Sequence, residues 1–246
     1  MNPTRASAIR SRIALLVLAP LLGAVVLGFA ASVRRPTDDF GAASVPSPWA
    51  SKRNPLNTYV AKFAWAWTTM LFVAMLPIHI APTRAVLRYA MATLYWLAMT
   101  RWFFGPPLFD RLFLRTGGVC QISTTTAAAA AATAATAEPH YSMTACRAAG
   151  GAWAGGHDVS GHCFLLLHSG LFLAEEVLSS LESRTPTRSS IARWAVVAAT
   201  LGLVGVWLLM LFFTAKYFHG LDELVSGSLL GIAYWFAVYR MRLLAL

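Results

Sequence analysis

Six stretches of this chain are apolar over lengths that approach a bilayer crossing: residues 13–30, 60–80, 85–104, 161–181, 194–213 and 224–239. A helix needs roughly 20 such residues to span the hydrocarbon core, and no spanning segment can leave its backbone polar groups unpaired. Charged residues make up only 12% of the chain, against about 25% in a soluble domain. The fold class expected is therefore all-α, a polytopic membrane bundle of about six transmembrane helices.

The formal net charge of +10 raises the question of nucleic acid. The basic residues argue against it, because they are scattered at the ends of apolar runs instead of gathered on one soluble face. Loop charges that orient a membrane protein have this distribution. A basic rim also suits anionic lipid heads or phosphate-bearing substrates.

Residues 1–50 read as an N-terminal segment carrying the first span, and 51–246 as the main membrane domain. The run at 13–30 reads either as a cleaved signal peptide ending in Ala30-Ala31 or as a retained span. Trp65, Trp67 and Phe63 near the start of the second run suit a helix anchored at head-group level. Residues 105–160 form the longest loop. Within it, 123–137 is nearly all Ala and Thr and reads as a low-complexity insert. Cys120 and Cys146 flank that insert and can pair if the loop faces an oxidising compartment, but spacing alone leaves the pairing open.

Six spans put both termini on one side. Arginine density in the short segments places that side in the cytosol. The 105–160 loop, the start of the fourth span and the end of the fifth then share the opposite side. Two histidines fall there, His162 and His219. Glu223 and Asp222 follow His219 at helical spacing. A carboxylate on one ring nitrogen fixes the tautomer and leaves the other free to attack, so His219 with Glu223 reads as an oriented nucleophile. His162 then suits proton donation to a leaving group. Ser160 and Gly161 stand at a helix start, where free N–H groups and the dipole favour an anion. Arg111, Arg147 and Lys216, with Arg115, lie on the same side and are candidates to hold phosphate. No paired-histidine motif is present, and neither a metal nor a cofactor is expected. Glu175-Glu176 lie deep in the fourth span, where acids are costly; one is expected to pair with an arginine near the cytosolic edge.

The blocks Lys52-Arg53-Asn54-Pro55-Leu56-Asn57, Lys62-Phe63-Ala64-Trp65-Ala66-Trp67, Gly150-Gly151-Ala152-Trp153, Asp158-Val159-Ser160-Gly161-His162 and Tyr217-Phe218-His219 resemble, in order, the fat storage-inducing transmembrane family, which is related to lipid phosphate phosphatases. The resemblance covers most of the chain from about residue 51. It implies six spans in the endoplasmic reticulum membrane, a lumenal active site, and catalytic histidines at His162 and His219. The implied activity is hydrolysis of fatty acyl-CoA to acyl 4′-phosphopantetheine and adenosine 3′,5′-bisphosphate, supporting phospholipid balance and lipid droplet formation. The partners it implies are fatty acyl-CoA and membrane lipids. The competing function is a non-catalytic protein that binds triacylglycerol or diacylglycerol and partitions it into droplets. Against the wider phosphatase pattern, Val159 stands for a proline, Phe212-Phe213 for a Ser-Arg pair and Glu223 for an aspartate. The basic motif of the first phosphatase block has no counterpart.

Overall fold

A computed structural model of the chain describes residues 3–33, 47–79, 81–101, 106–122, 142–181 and 190–241. The Ala/Thr tract at 123–137 and the turn at 182–189 lie outside the described residues. The chain divides into two units, residues 1–92 with 160–246, and residues 93–159.

The larger unit is a helix bundle. Its helices are α1 (Pro3–Val33), α2 (Ala64–Met75), the first half of α3 (Pro82–Thr100), α6 (Gly161–Leu181), α7 (Ser190–Tyr217) and α8 (Leu221–Trp235). A π-helical turn, Leu56–Ala61, leads into α2, and another, Phe236–Arg240, follows α8. Among the described residues, four segments are long and apolar enough to cross a membrane: Leu16–Val33, Gly161–Leu181, Ile191–Tyr217 and Leu221–Arg240. The expected second span is shorter than its apolar run, Ala64–Ile78. The third carries Arg84 and Arg88 within α3. Leu21 and Val25 of α1 are in the core, so this helix packs within the same unit as the rest of the bundle. Outward-facing Val26, Leu27, Met70, Val73, Leu201 and Leu229 are exposed apolar side chains, a surface suited to lipid.

At the centre stands α6, which packs against α1, α2, α7 and α8 and is the most buried of the spans, at 67%. Its contact with α8 depends on small residues. A Cβ at Gly227 would fall 2.5 Å from the Ser160 carbonyl oxygen, and one at Gly231 would fall 2.8 Å from that of Phe164. Two glycines four apart let helix backbones touch, the usual way spans associate where lipid removes the hydrophobic drive. The same approach sets the start of α8 beside the start of α6.

Polar residues in the bundle answer one another. His168 lies in an aromatic cluster, stacked on Trp65 at 4.9 Å, with its Nε2 donating to the Ala92 carbonyl at 3.1 Å. Farther along α6, Arg88 Nε and Nη2 donate to the two oxygens of Glu176 at 2.8 and 2.9 Å. His79 Nε2 lies 2.9 Å from the same carboxylate, and Tyr239 Oη donates to it at 2.6 Å. Glu175 accepts from Trp235 Nε1 at 2.9 Å and from Arg240. Each acid of the pair has thus found its own arginine. Arg88, which the run pattern placed at the mouth of a span, is buried because Glu176 meets it.

The sequence predicts a loop over residues 105–160; the described residues there carry helices and strands, within the smaller unit. That unit holds α4 (Leu108–Arg115), strands β1 (Val119–Ile122) and β2 (Gly151–Ala154) in an antiparallel pair, and α5 (Met143–Ala148). Cys120 lies opposite Trp153 in the ladder, and its sulfur is bonded to Cys146, with Cα atoms 5.7 Å apart. A short hairpin has little core of its own, and the cross-link compensates. Cys146→Ser is expected to cost this unit about 3 kcal/mol by reopening a loop of about 25 residues in the unfolded chain. Proteolysis under non-reducing conditions checks this; equal resistance in wild type and variant would refute it.

Candidate active site

Ser160 is the N-cap of α6. Its Oγ accepts from the Cys163 N–H at 3.4 Å, and its carbonyl accepts from Phe164 at 3.0 Å. Its own N–H donates to the Glu223 carbonyl at 3.2 Å, tying α6 to the first turn of α8. The hydroxyl expected to meet an anion is fully buried and is used in capping. Gly161, one residue on, is exposed, with open space where a Cβ would stand.

The second histidine is held by a helix start. The chain leaves α7 at Tyr217 and re-enters helix at α8 with Gly220 as N-cap. Glu223, third in α8, reaches back, and its Oε2 accepts from Gly220 N at 3.2 Å and from His219 Nδ1 at 2.8 Å. His219 therefore precedes the helix, whereas the spacing suggested a shared helical face. The acid meets it as part of the cap. With Nδ1–H donating to Glu223, Nε2 is the ring nitrogen left to act as a base or nucleophile. Both side chains keep partial exposure, 15% for His219 and 22% for Glu223.

His162, in the first turn of α6, has its Nε2 2.7 Å from Asn57 Oδ1. The Asn57 amide is oriented by its other end, because Nδ2 donates to the Lys52 carbonyl at 2.8 Å. Oδ1 must then accept, and His162 donates from Nε2. The rings of His162 and His219 lie within electrostatic reach of each other, and Lys52 and Lys62 are within reach of His162. The fold thus brings together the two histidines and the acid that the sequence singled out.

The expected phosphate-holding residues are placed differently. Lys216 lies over the rings of Phe212 and Tyr217, at 5.9 and 5.3 Å from their centroids. Arg111 and Arg147 belong to the smaller unit. There Arg111 Nε donates to the Pro106 carbonyl at 2.9 Å. Arg147 ends α5 near Asp110, whose carboxyl is pushed up by burial, with Asp158 adding to the effect and the Met143 N–H and Arg147 opposing it. Sequence reasoning assigned no role to Asn57, Lys52 or Lys62. The signal was present in their position, since Lys52 and Asn57 sit in the block just ahead of the second apolar run and Lys62 at the start of that run.

Comparison with known proteins follows the same lines. A family model described as fat storage-inducing transmembrane protein matches residues 45–197 and 180–239. The chain is 33% identical over 199 residues to acyl-coenzyme A diphosphatase fit1 of Schizosaccharomyces pombe, covering 80% of this chain and 74% of that one. It is 32% identical over 196 residues to acyl-coenzyme A diphosphatase FITM2 of Homo sapiens, covering 77% and 71%. The corresponding protein of Xenopus tropicalis is 34% identical over 208 residues, covering 79% and 72%. No solved structure matches the chain.

Proposed function

The chain belongs to the fat storage-inducing transmembrane family, and on that premise we propose that it is a membrane acyl-CoA diphosphatase. The observation that carries the reading is the His219–Glu223 bond at 2.8 Å, which leaves one ring nitrogen available beside a second histidine. His219 Nε2 attacks one phosphorus of the diphosphate. The bridging P–O bond breaks as the N–P bond forms, and the departing oxygen takes a proton from His162. Water then attacks the phosphohistidine: the N–P bond breaks as the new O–P bond forms, its electron pair returns to His219 Nε2, and His162 accepts the water's proton. The products are acyl 4′-phosphopantetheine and adenosine 3′,5′-bisphosphate. The acyl chain lies among the spans, where each buried CH₂ contributes about 0.8 kcal/mol.

The site faces the lumen of the endoplasmic reticulum. A Cys120–Cys146 disulfide supports this, because such bonds persist in oxidising compartments. The location fits a role in phospholipid balance and lipid droplet formation. A glycosylation acceptor engineered in the 123–137 tract is expected to be modified, and one in 182–189 is not; the reverse pattern would invert the topology. For the activity itself, purified full-length protein is incubated with oleoyl-CoA and the products are weighed by mass spectrometry. Both named products are expected. Free fatty acid with intact CoA would mean thioester cleavage and overturn the reading.

A further inference from the structure

We propose that Lys52 and Lys62, gathered around Asn57, form the seat for the substrate's diphosphate. The inference rests on the diphosphatase reading above and names the groups that hold the anion. Asn57 makes three bonds to three different places. Its Oδ1 accepts from His162 at 2.7 Å, its Nδ2 donates to the Lys52 carbonyl at 2.8 Å, and its own carbonyl accepts from the Lys62 N–H at 3.0 Å. The last of these belongs to the π-helical turn Leu56–Ala61, whose wider winding links residues five apart. One residue therefore fixes the main chain of both lysines and the ring of His162, the Lys52 carbonyl and the ring through its side chain and the Lys62 N–H through its own carbonyl.

Both lysines are exposed, and neither has a carboxylate partner among the described residues. Both are in electrostatic reach of the His162 ring. Two ammonium groups with no carboxylate partner among the described residues, both in electrostatic reach of one imidazole, favour an anion and offer nothing to a neutral diglyceride. A diphosphate with one charge on each phosphate matches them in number. Asn57 is in turn a positioning residue. By holding His162 Nε2–H it leaves Nδ1 as the exchanging nitrogen, so the ring gives the leaving oxygen its proton from the imidazolium form and returns to the neutral Nε2–H form. The lysines thus supply what the missing basic block of the wider phosphatase pattern would provide, from a turn ahead of α2.

The test uses full-length protein in detergent, with inorganic pyrophosphate as the binding probe and oleoyl-CoA as substrate. Lys52→Met and Lys62→Met are each expected to weaken pyrophosphate binding by about tenfold, the scale of one charge-assisted hydrogen bond, and to raise KM by a similar factor. Lys→Arg at either position should keep binding near the wild-type value, since the charge is what matters. Asn57→Ala should instead lower kcat as well as raise KM, because it releases the His162 ring. Unchanged pyrophosphate affinity in the Lys52→Met/Lys62→Met double variant would overturn the seat. That failure is separable from failure of the activity. A protein that binds pyrophosphate through these lysines yet does not cleave oleoyl-CoA would keep the seat and lose the diphosphatase reading.

Discussion

His219→Ala is expected to abolish cleavage of oleoyl-CoA, by roughly 10⁴-fold or more, the scale on which loss of an activated nucleophile acts. The side chain is partly exposed and makes its bond to Glu223 at the mouth of α8, so its removal leaves the helix packing in place. His162→Ala is expected to cost roughly 10²–10⁴-fold, the range for a general acid. Glu223→Gln should cost less, about 10- to 100-fold, because it weakens one charge-assisted hydrogen bond of about 1.5–3 kcal/mol and leaves the attacking nitrogen in place. The order of the three is the informative result. Steady-state rates on purified variants measure it, with thermal unfolding run beside them to show that each is folded. A protein that only partitions neutral lipid would tolerate all three substitutions. Full activity in His219→Ala would remove the nucleophile assigned here.

Glu176→Ala is expected to cost about 3–5 kcal/mol of stability, a large part of the 5–15 kcal/mol that holds a typical domain. Arg88 would keep its charge inside the bundle without its bidentate partner, and His79 and Tyr239 would lose an acceptor in the same step. Arg88→Ala leaves the opposite charge stranded and should cost a similar amount. The double variant Arg88→Met/Glu176→Leu should be more stable than either single change, since neither ion remains to be solvated. Thermal unfolding in detergent gives the comparison. Additive losses in the double variant would mean that the pair contributes little and that each residue acts alone. This network stands some distance from the histidines: by helical rise, Glu176 is about 20 Å along α6 from His162. Its variants are thus expected to change how much folded protein there is, and not the activity per folded molecule.

Much of this was legible in the chain. The apolar run at 161–181 became α6 with the same bounds, because a run of that length has no other way to satisfy its backbone in lipid. Histidine and glutamate four apart at a helix end could meet with either helical or capping geometry, so the pair was readable while its form was not. Cys120 and Cys146 were visible as candidates. Residues 105–160 read as a loop because the helices and strands among their described residues are too short for periodicity to reveal.

The sequence by itself determined that the chain is a helical membrane bundle and which apolar runs become its long helices, since length and hydropathy are local properties. Only the tertiary structure decided who meets whom. Asn57 meets His162 across the packing of α2 against α6, and Glu223 meets the start of α6 through the packing of α8, which rests on the small size of Gly227 and Gly231. Likewise, Arg88 and Arg84 read alike along the chain, and only packing gave Arg88 to Glu176. Pairings of this kind depend on helix rotation and approach distance, which a few small side chains set and which leave no period in the sequence.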